Sequence, residues 1–198
     1  RRSSDLLFYG GIPVFADIDP DTFNITATTI ESRITPRTRA IMVVHIFGQA
    51  ADMDPIMSLA KKHNLKVIED GAQCPGIKYK GRPIGTIGDI GGFSLNYHKH
   101  IHTGEGGMLV TNDDKLALRC QLIRNHAENL IEDLGVDDLS NMLGSNYRLT
   151  ELQAAIGCVQ LDRVQGYLDH RKRLAAHFGR KLAEFDGITA AKVANGAE

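Results

Sequence analysis

The sequence predicts an α/β fold, a mainly parallel central sheet flanked by helices, on two observations. Short apolar runs rich in β-branched residues alternate with amphipathic stretches, the pattern of repeated βα units. Glycine concentrates between residues 81 and 107, where GRPIGTIGDIGG and TGEGG flank one strand and a short loop, as expected where backbone must approach a ligand or turn tightly.

Taken in order, the strands are expected at 13–17 (PVFAD), 40–45 (AIMVVH), 66–69 (KVIE), 92–95 (GFSL) and 108–111 (MLVT), each short enough to be buried on both faces. Helices are expected at 27–34 and 54–63, the second ending before Asn64, a residue that tolerates a left-handed cap. A third is expected at 113–125 with Asn112 as N-cap, and a fourth at 150–158 capped by Thr150. From 161 to 185, Leu161, Val164, Leu168, Leu174, Phe178, Leu182 and Phe185 recur near helical spacing, a long helix leading out of the domain. The division this implies is 1–160 as one large domain and 161–198 as the root of a second. The chain opens without Met and in mid-element, which predicts that it is part of a longer polypeptide.

With 198 residues, 42% of them hydrophobic, there is enough apolar matter for a packed core. Lys and Arg number 23 against 24 Asp and Glu, for a formal charge of -1, so no global field draws the chain to nucleic acid or an anionic membrane. No apolar run reaches the roughly 20 residues that cross a bilayer. Cys74, Cys120 and Cys158 lie far apart with no CxxC pair, which fits a reducing, cytoplasmic setting better than a disulfide framework or a structural zinc site.

The run VIED passes straight into GAQ, putting Asp70 at the carboxyl end of a strand, the edge at which open α/β sheets bind ligands. The next strand ends in a hydroxyl at Ser94, and Lys99 follows shortly before Gly104-Glu105-Gly106-Gly107. Singly, Asp70 reads as a helix cap, Ser94 as a turn residue and Lys99 as a solvated charge. Together, an acid, an amide at Gln73, a hydroxyl and a lysine at one edge form a chemically specific set. His98, His100 and His102 offer a competing metal reading, since residues two apart on a strand share a face, but the neighbouring glycines argue against a continuous strand there. Pro13, Gly48 and Gly85 read as turns, and His45 and His63 as strand-end or surface residues.

The segments VIEDGAQCPG, GDIGGFSLNYHKHIHTGEGGMLVTND, RNH and NYRLTELQAAIG, in this order, closely resemble the signature segments of the DegT/DnrJ/EryC1/StrS sugar aminotransferases, and PVFADIDPDTFNI with ITPRTRAIMVVHIFGQAADMDPI extends the likeness over nearly the whole chain. The resemblance implies the large domain of a type I pyridoxal 5'-phosphate (PLP) transferase, similar to aspartate aminotransferase. It implies that Lys99 bonds the cofactor aldehyde, that Asp70 pairs with the pyridine nitrogen, that Gln73 lies near the phenolic oxygen and that Ser94 contacts the phosphate. Asn146 matches a phosphate contact that reaches across a homodimer, so the active site would be shared between two copies. The substrates implied are a keto sugar, most often nucleotide-linked, and L-glutamate, in cell-surface polysaccharide or antibiotic sugar synthesis. The family's first phosphate-gripping turn would lie upstream of Arg1, and its small domain beyond this sequence. Some relatives carry His in place of the lysine and act as sugar dehydratases; counting back from Gly104-Glu105-Gly106-Gly107 gives Lys99 and favours transamination.

Overall fold

A computed structural model describes residues 4–127 and 143–197. A short helix, α1 (Ser4–Phe8), and a second, α2 (Ala27–Glu31), precede the sheet, whose strands are β1 (Ala40–Val44), β2 (Lys66–Asp70), β5 (Ile90–Ser94) and β6 (Gly107–Val110). Between β2 and β5 a separate two-stranded ribbon forms from β3 (Lys78–Tyr79) and β4 (Arg82–Pro83). The order across the main sheet is β1-β2-β5-β6; the first three strands run parallel and β6 is antiparallel to β5.

Burial alternates with the pleat. On β1 Ile41 and Val43 are buried while Met42 is 41% exposed, and on β2 Val67 and Glu69 are buried. One face of the sheet is therefore packed and the other, among the described residues, is more open, which corrects the expectation that these strands bury both faces. The packed face meets α3 (Met53–His63), which turns Met53, Ile56, Leu59 and Ala60 inward at helical spacing. Full burial of a side chain such as Ile56 contributes about 1.5–3 kcal/mol. Asn64 ends α3 in the left-handed conformation, φ 52°, as its position predicts, and Lys61, Lys62 and His63 stand in the last turn, where the helix dipole favours positive charge.

Three further expectations change. The run 13–17 forms no strand: no described strand pairs with it, and Val14 and Phe15 are exposed. The helix after β6, α4 (Asp114–Arg124), is capped by Asp113, whose carboxylate accepts from the N–H groups of Lys115 and Leu116, and not by Asn112. The two C-terminal helices are one, α5 (Glu151–Leu182), because nothing between Cys158 and Leu161 breaks a helix; Thr150 and Gln153 close its start as a reciprocal capping box. His45 directly follows β1, as the strand-end reading has it, and is fully buried, while His63 closes α3, partly buried beside Glu31. After α5 the chain returns to the domain, with Lys192 paired to Asp21 and the Lys80 N–H donating to the Gly196 carbonyl.

Candidate functional site

The parallel register sets Asp70 beside Gly92, two residues before the end of β5, so Asp70 and Ser94 close adjacent strands at the same sheet edge. The Asp70 carboxylate accepts from the Ala72 N–H through Oδ1 at 3.0 Å, and Oδ2 has no partner among the described residues. Gln73, on the following turn, accepts through Oε1 from the Phe47 N–H at 2.9 Å, which leaves its NH2 group as the free end. Phe47 makes that contact with a left-handed backbone, φ 56°, inside a single 3-10 turn at Ile46–Gly48, its ring edge-on to Phe23.

Ser94 Oγ accepts from the Asn96 N–H at 3.3 Å, and its own hydroxyl proton has no acceptor among the described residues. Lys99 follows on a turn closed by its N–H to the Asn96 carbonyl at 2.9 Å, partly buried and without an ion pair among the described residues. The loop is tied back by Asn96 to the Glu105 carboxylate at 2.6 Å and by the Thr103 hydroxyl to the Glu105 carbonyl at 2.9 Å. Asn146 stands apart. It is exposed, pairs with Asn125 as an isolated bridge, and accepts from the Arg148 N–H at 3.3 Å.

Beneath this edge lies a pair that inspection of the sequence misses. Glu69 and His45 are both fully buried, with Nε2 and Oε2 3.0 Å apart. The Glu69 carboxylate also accepts from three backbone N–H groups, those of Gly85, Ile87 and Gly88, at 2.6–2.7 Å. The Ala51 N–H donates to His45 Nδ1 at 3.1 Å, so the His45 proton sits on Nε2 and points at Glu69. Burial pushes the Glu69 carboxyl up, but His45 and the three amides outweigh it and hold the group below its ordinary range.

The close approach behind this arrangement requires glycine: a Cβ on Gly91 would meet the Gly85 Cα at 2.3 Å, so no side chain fits where the 85–88 turn lies on β5. His45 also touches the loop above it. Its N–H donates to the Asp70 carbonyl at 3.1 Å, and its carbonyl accepts from the Cys74 thiol at 3.0 Å, a thiol that burial pushes up to about 12. One buried unit thus fixes the backbone of Asp70 and of the loop that carries Gln73.

Beside the edge, between the Phe47 turn and α5, is a cavity of about 360 Å³ that Gln73 lines; Asp70, Ser94 and Lys99 lie outside its wall. His98 is exposed and edge-on to Tyr97, His100 lines the cavity, and His102 keeps a buried Nδ1 without a partner. Among the described residues no three His, Cys, Asp or Glu side chains gather as a metal site, and no described helix is long and apolar enough to cross a membrane.

The polar ends left open are the ones a PLP cofactor needs: a carboxylate oxygen at Asp70, an NH2 donor at Gln73, a hydroxyl proton at Ser94 and an amine at Lys99. Comparison with known proteins points the same way. The DegT/DnrJ/EryC1/StrS aminotransferase family matches residues 4–198. The chain is 45% identical over 185 residues to GDP-perosamine synthase of Caulobacter vibrioides, covering 91% of this chain and 48% of that protein. It is 42% identical over 179 residues to a pleiotropic regulatory protein of Geobacillus stearothermophilus, covering 90% of this chain and 46% of that one. Among solved structures, an aminotransferase from Psychrobacter cryohalolentis superposes with a TM-score of 0.85 at 39% identity, over 91% of this chain and 48% of that one. The chain spans about half the length of the curated relatives it matches.

Proposed function

The chain belongs to the DegT/DnrJ/EryC1/StrS aminotransferase family, and from that premise we propose that the protein containing it transfers an amino group, from L-glutamate, to a keto sugar linked to a nucleotide. When bound, PLP supplies an aldehyde that an amine can join and a pyridinium ring that accepts an electron pair. The chain's own residues do the rest. Asp70, with one oxygen engaged by Ala72 and the other open, holds the proton on the pyridine nitrogen. Gln73 offers its NH2 to the phenolic oxygen, a donor that cannot itself take a proton, because its carbonyl end is engaged by Phe47. Ser94 would donate to the phosphate, and Lys99 would hold the cofactor through its amine and serve as the group that moves a proton at the substrate.

Asn146 reaches the phosphate of a second copy, so the working unit is a homodimer with shared sites. Its exposed position supports this, as does the apolar stripe Leu152, Ile156 and Val159 on α5, exposed at helical spacing with Met108 and Leu109 on β6 also uncovered. We read residues 1–160 as the cofactor domain and 161–198 as the lead into a small domain. Three unbridged cysteines agree with a cytoplasmic enzyme. The nucleotide-linked substrate is supported by the name of the 45% identical relative, a GDP-perosamine synthase.

The observation that carries the reading is the pairing of Asp70 and Ser94 at the ends of adjacent strands, with Gln73 held so that only its donor end is open. It is tested by the absorption spectrum of the full-length protein with PLP, before and after L-glutamate. A visible band that the amino donor converts, and that nucleotide-linked keto sugars restore, is the expected outcome. A cofactor band unmoved by any amino donor would end the transaminase reading.

A further inference from the structure

Leu168 is the buried residue of α5, and it sits on the backbone of Gly76, where a Cβ would lie 2.7 Å from its Cδ1 and where φ is +77°. That contact fixes which face of the helix turns inward. Arg171 and Lys172 follow three and four residues later on this face and line the cavity with His100, Phe47, Gln73 and Ile77. At about 360 Å³ it is within the range of small-molecule sites.

Among the described residues the cations here have no counter-charge. Ion pairs among the described residues use Lys62, Lys66, Lys80, Arg82, Lys181 and Lys192 with carboxylates elsewhere, and none involves Lys99, Arg171 or Lys172. The side chains of Arg171 and Lys172 also reach solvent. Of the run His170-Arg171-Lys172-Arg173, two consecutive members line one apolar-walled hollow. His100 registers the result: burial, then the charges of Arg171 and of Lys99, hold its imidazole below the ordinary range, so it stands neutral among positive groups.

We propose that this cavity is an oxyanion subsite, in which Arg171 and Lys172 hold a carboxylate or phosphate group of a substrate and neutral His100 hydrogen-bonds to it. The site itself stands on the geometry above. Which molecule brings the oxyanion rests on the aminotransfer reading, and two sources share the chemistry: a carboxylate of the amino donor, or the diphosphate of a nucleotide-linked sugar. Guanidinium and ammonium groups bind both through charge-assisted hydrogen bonds, strengthened beside apolar walls.

The test is calorimetric titration of the full-length protein, without added PLP, by two unreactive probes: glutarate, a dicarboxylate without an amine, and inorganic pyrophosphate. Wild type should bind at least one. Arg171→Gln with Lys172→Gln should weaken that probe at least about tenfold, the loss expected with charge-assisted contacts, while Arg173→Gln, whose side chain lies outside the cavity wall, should not. Weakened glutarate assigns the amino donor, and weakened pyrophosphate assigns the nucleotide. Binding of neither probe, equal affinity in wild type and the double variant, or equal weakening by Arg173→Gln would overturn the subsite. Failure of the cofactor reading shows separately, as a wild-type protein that gains no visible band with PLP.

Discussion

The loop after β2 and the loop after β5 leave the same sheet edge and are buried to different extents. Residues 70–74 rest on buried partners: the Gly71 N–H donates to the Gly92 carbonyl at 2.8 Å, Cys74 bonds to His45, and below them Glu69 gathers His45 and three amides out of water. Residues 95–106 have one buried anchor, Thr103, whose N–H donates to the Leu95 carbonyl and whose hydroxyl donates to the Glu105 carbonyl, both at 2.9 Å, while their other side-chain ties, Asn96 to Glu105 and Gln153 Nε2 to the Glu105 carbonyl at 2.9 Å, are exposed, where water and salt weaken them. Under the roles proposed for them, Asp70, which would face a ring nitrogen, stands on the more deeply buried loop, and Lys99, which would bond the cofactor, stands on the one with more exposed ties.

Breaking the buried side should cost most. Glu69→Gln removes a buried charge and turns an NH2 toward amide donors, so stability should fall by about 1–3 kcal/mol for each buried donor left unmatched; chemical denaturation reads it. The pH dependence has a definite sign. Because the folded-state pKa of Glu69 is held below the ordinary glutamate value of 4.5, its contribution is fully present above that value and is lost as pH falls through the lower, folded value. Wild type should therefore lose stability on acidification below 4.5 more steeply than Glu69→Gln. Equal slopes would mean that another carboxylate governs acid unfolding.

Next in size, Asp70→Asn keeps the shape of the more buried loop but drops its charge, and turnover should fall roughly a hundredfold or more with much less change in cofactor occupancy. Near-normal transamination would reduce Asp70 to a turn cap for Ala72. Asn146→Ala should weaken PLP binding by about ten- to a hundredfold, the ~1.5–3 kcal/mol of one charge-assisted contact. Mixed with Lys99→Ala subunits it should restore one intact site per heterodimer; inactive mixed dimers, with exchange confirmed, would confine Asn146 to its own chain. Asn96→Ala, on the more exposed loop, should cost no more than about 1 kcal/mol by the same denaturation measurement, since its bond to Glu105 is exposed. A loss matching that of Glu69→Gln would erase the contrast between the loops.

Much of this edge was legible in the sequence. Asp70 and Ser94 follow apolar runs, and the ends of such runs are set by side-chain chemistry that the chain carries locally. The Asn64 cap and the Thr150 cap were legible for the same reason. What was not legible depends on pairing at a distance. The antiparallel direction of β6 leaves no mark in four residues, and the run 13–17 reads as a strand although no described strand pairs with it. Glu69 looks like an ordinary acid beside Asp70, because its four donors come from residues 24 positions back and 16–19 positions on. A signal was present: a charged residue inside a strand otherwise fit for burial, followed by a glycine-dense turn rich in free N–H groups.

Borohydride reduction of the full-length protein with PLP, followed by mapping of the labelled peptide, tests whether this edge is a cofactor site with Lys99 at its centre. One label, on Lys99, is predicted, and Lys99→Ala should lose both the label and the visible absorbance while unfolding within about 0.5 kcal/mol of wild type, since its side chain lies on a loop outside the packed core. A label on another lysine, or visible absorbance that survives in Lys99→Ala, would contradict that reading.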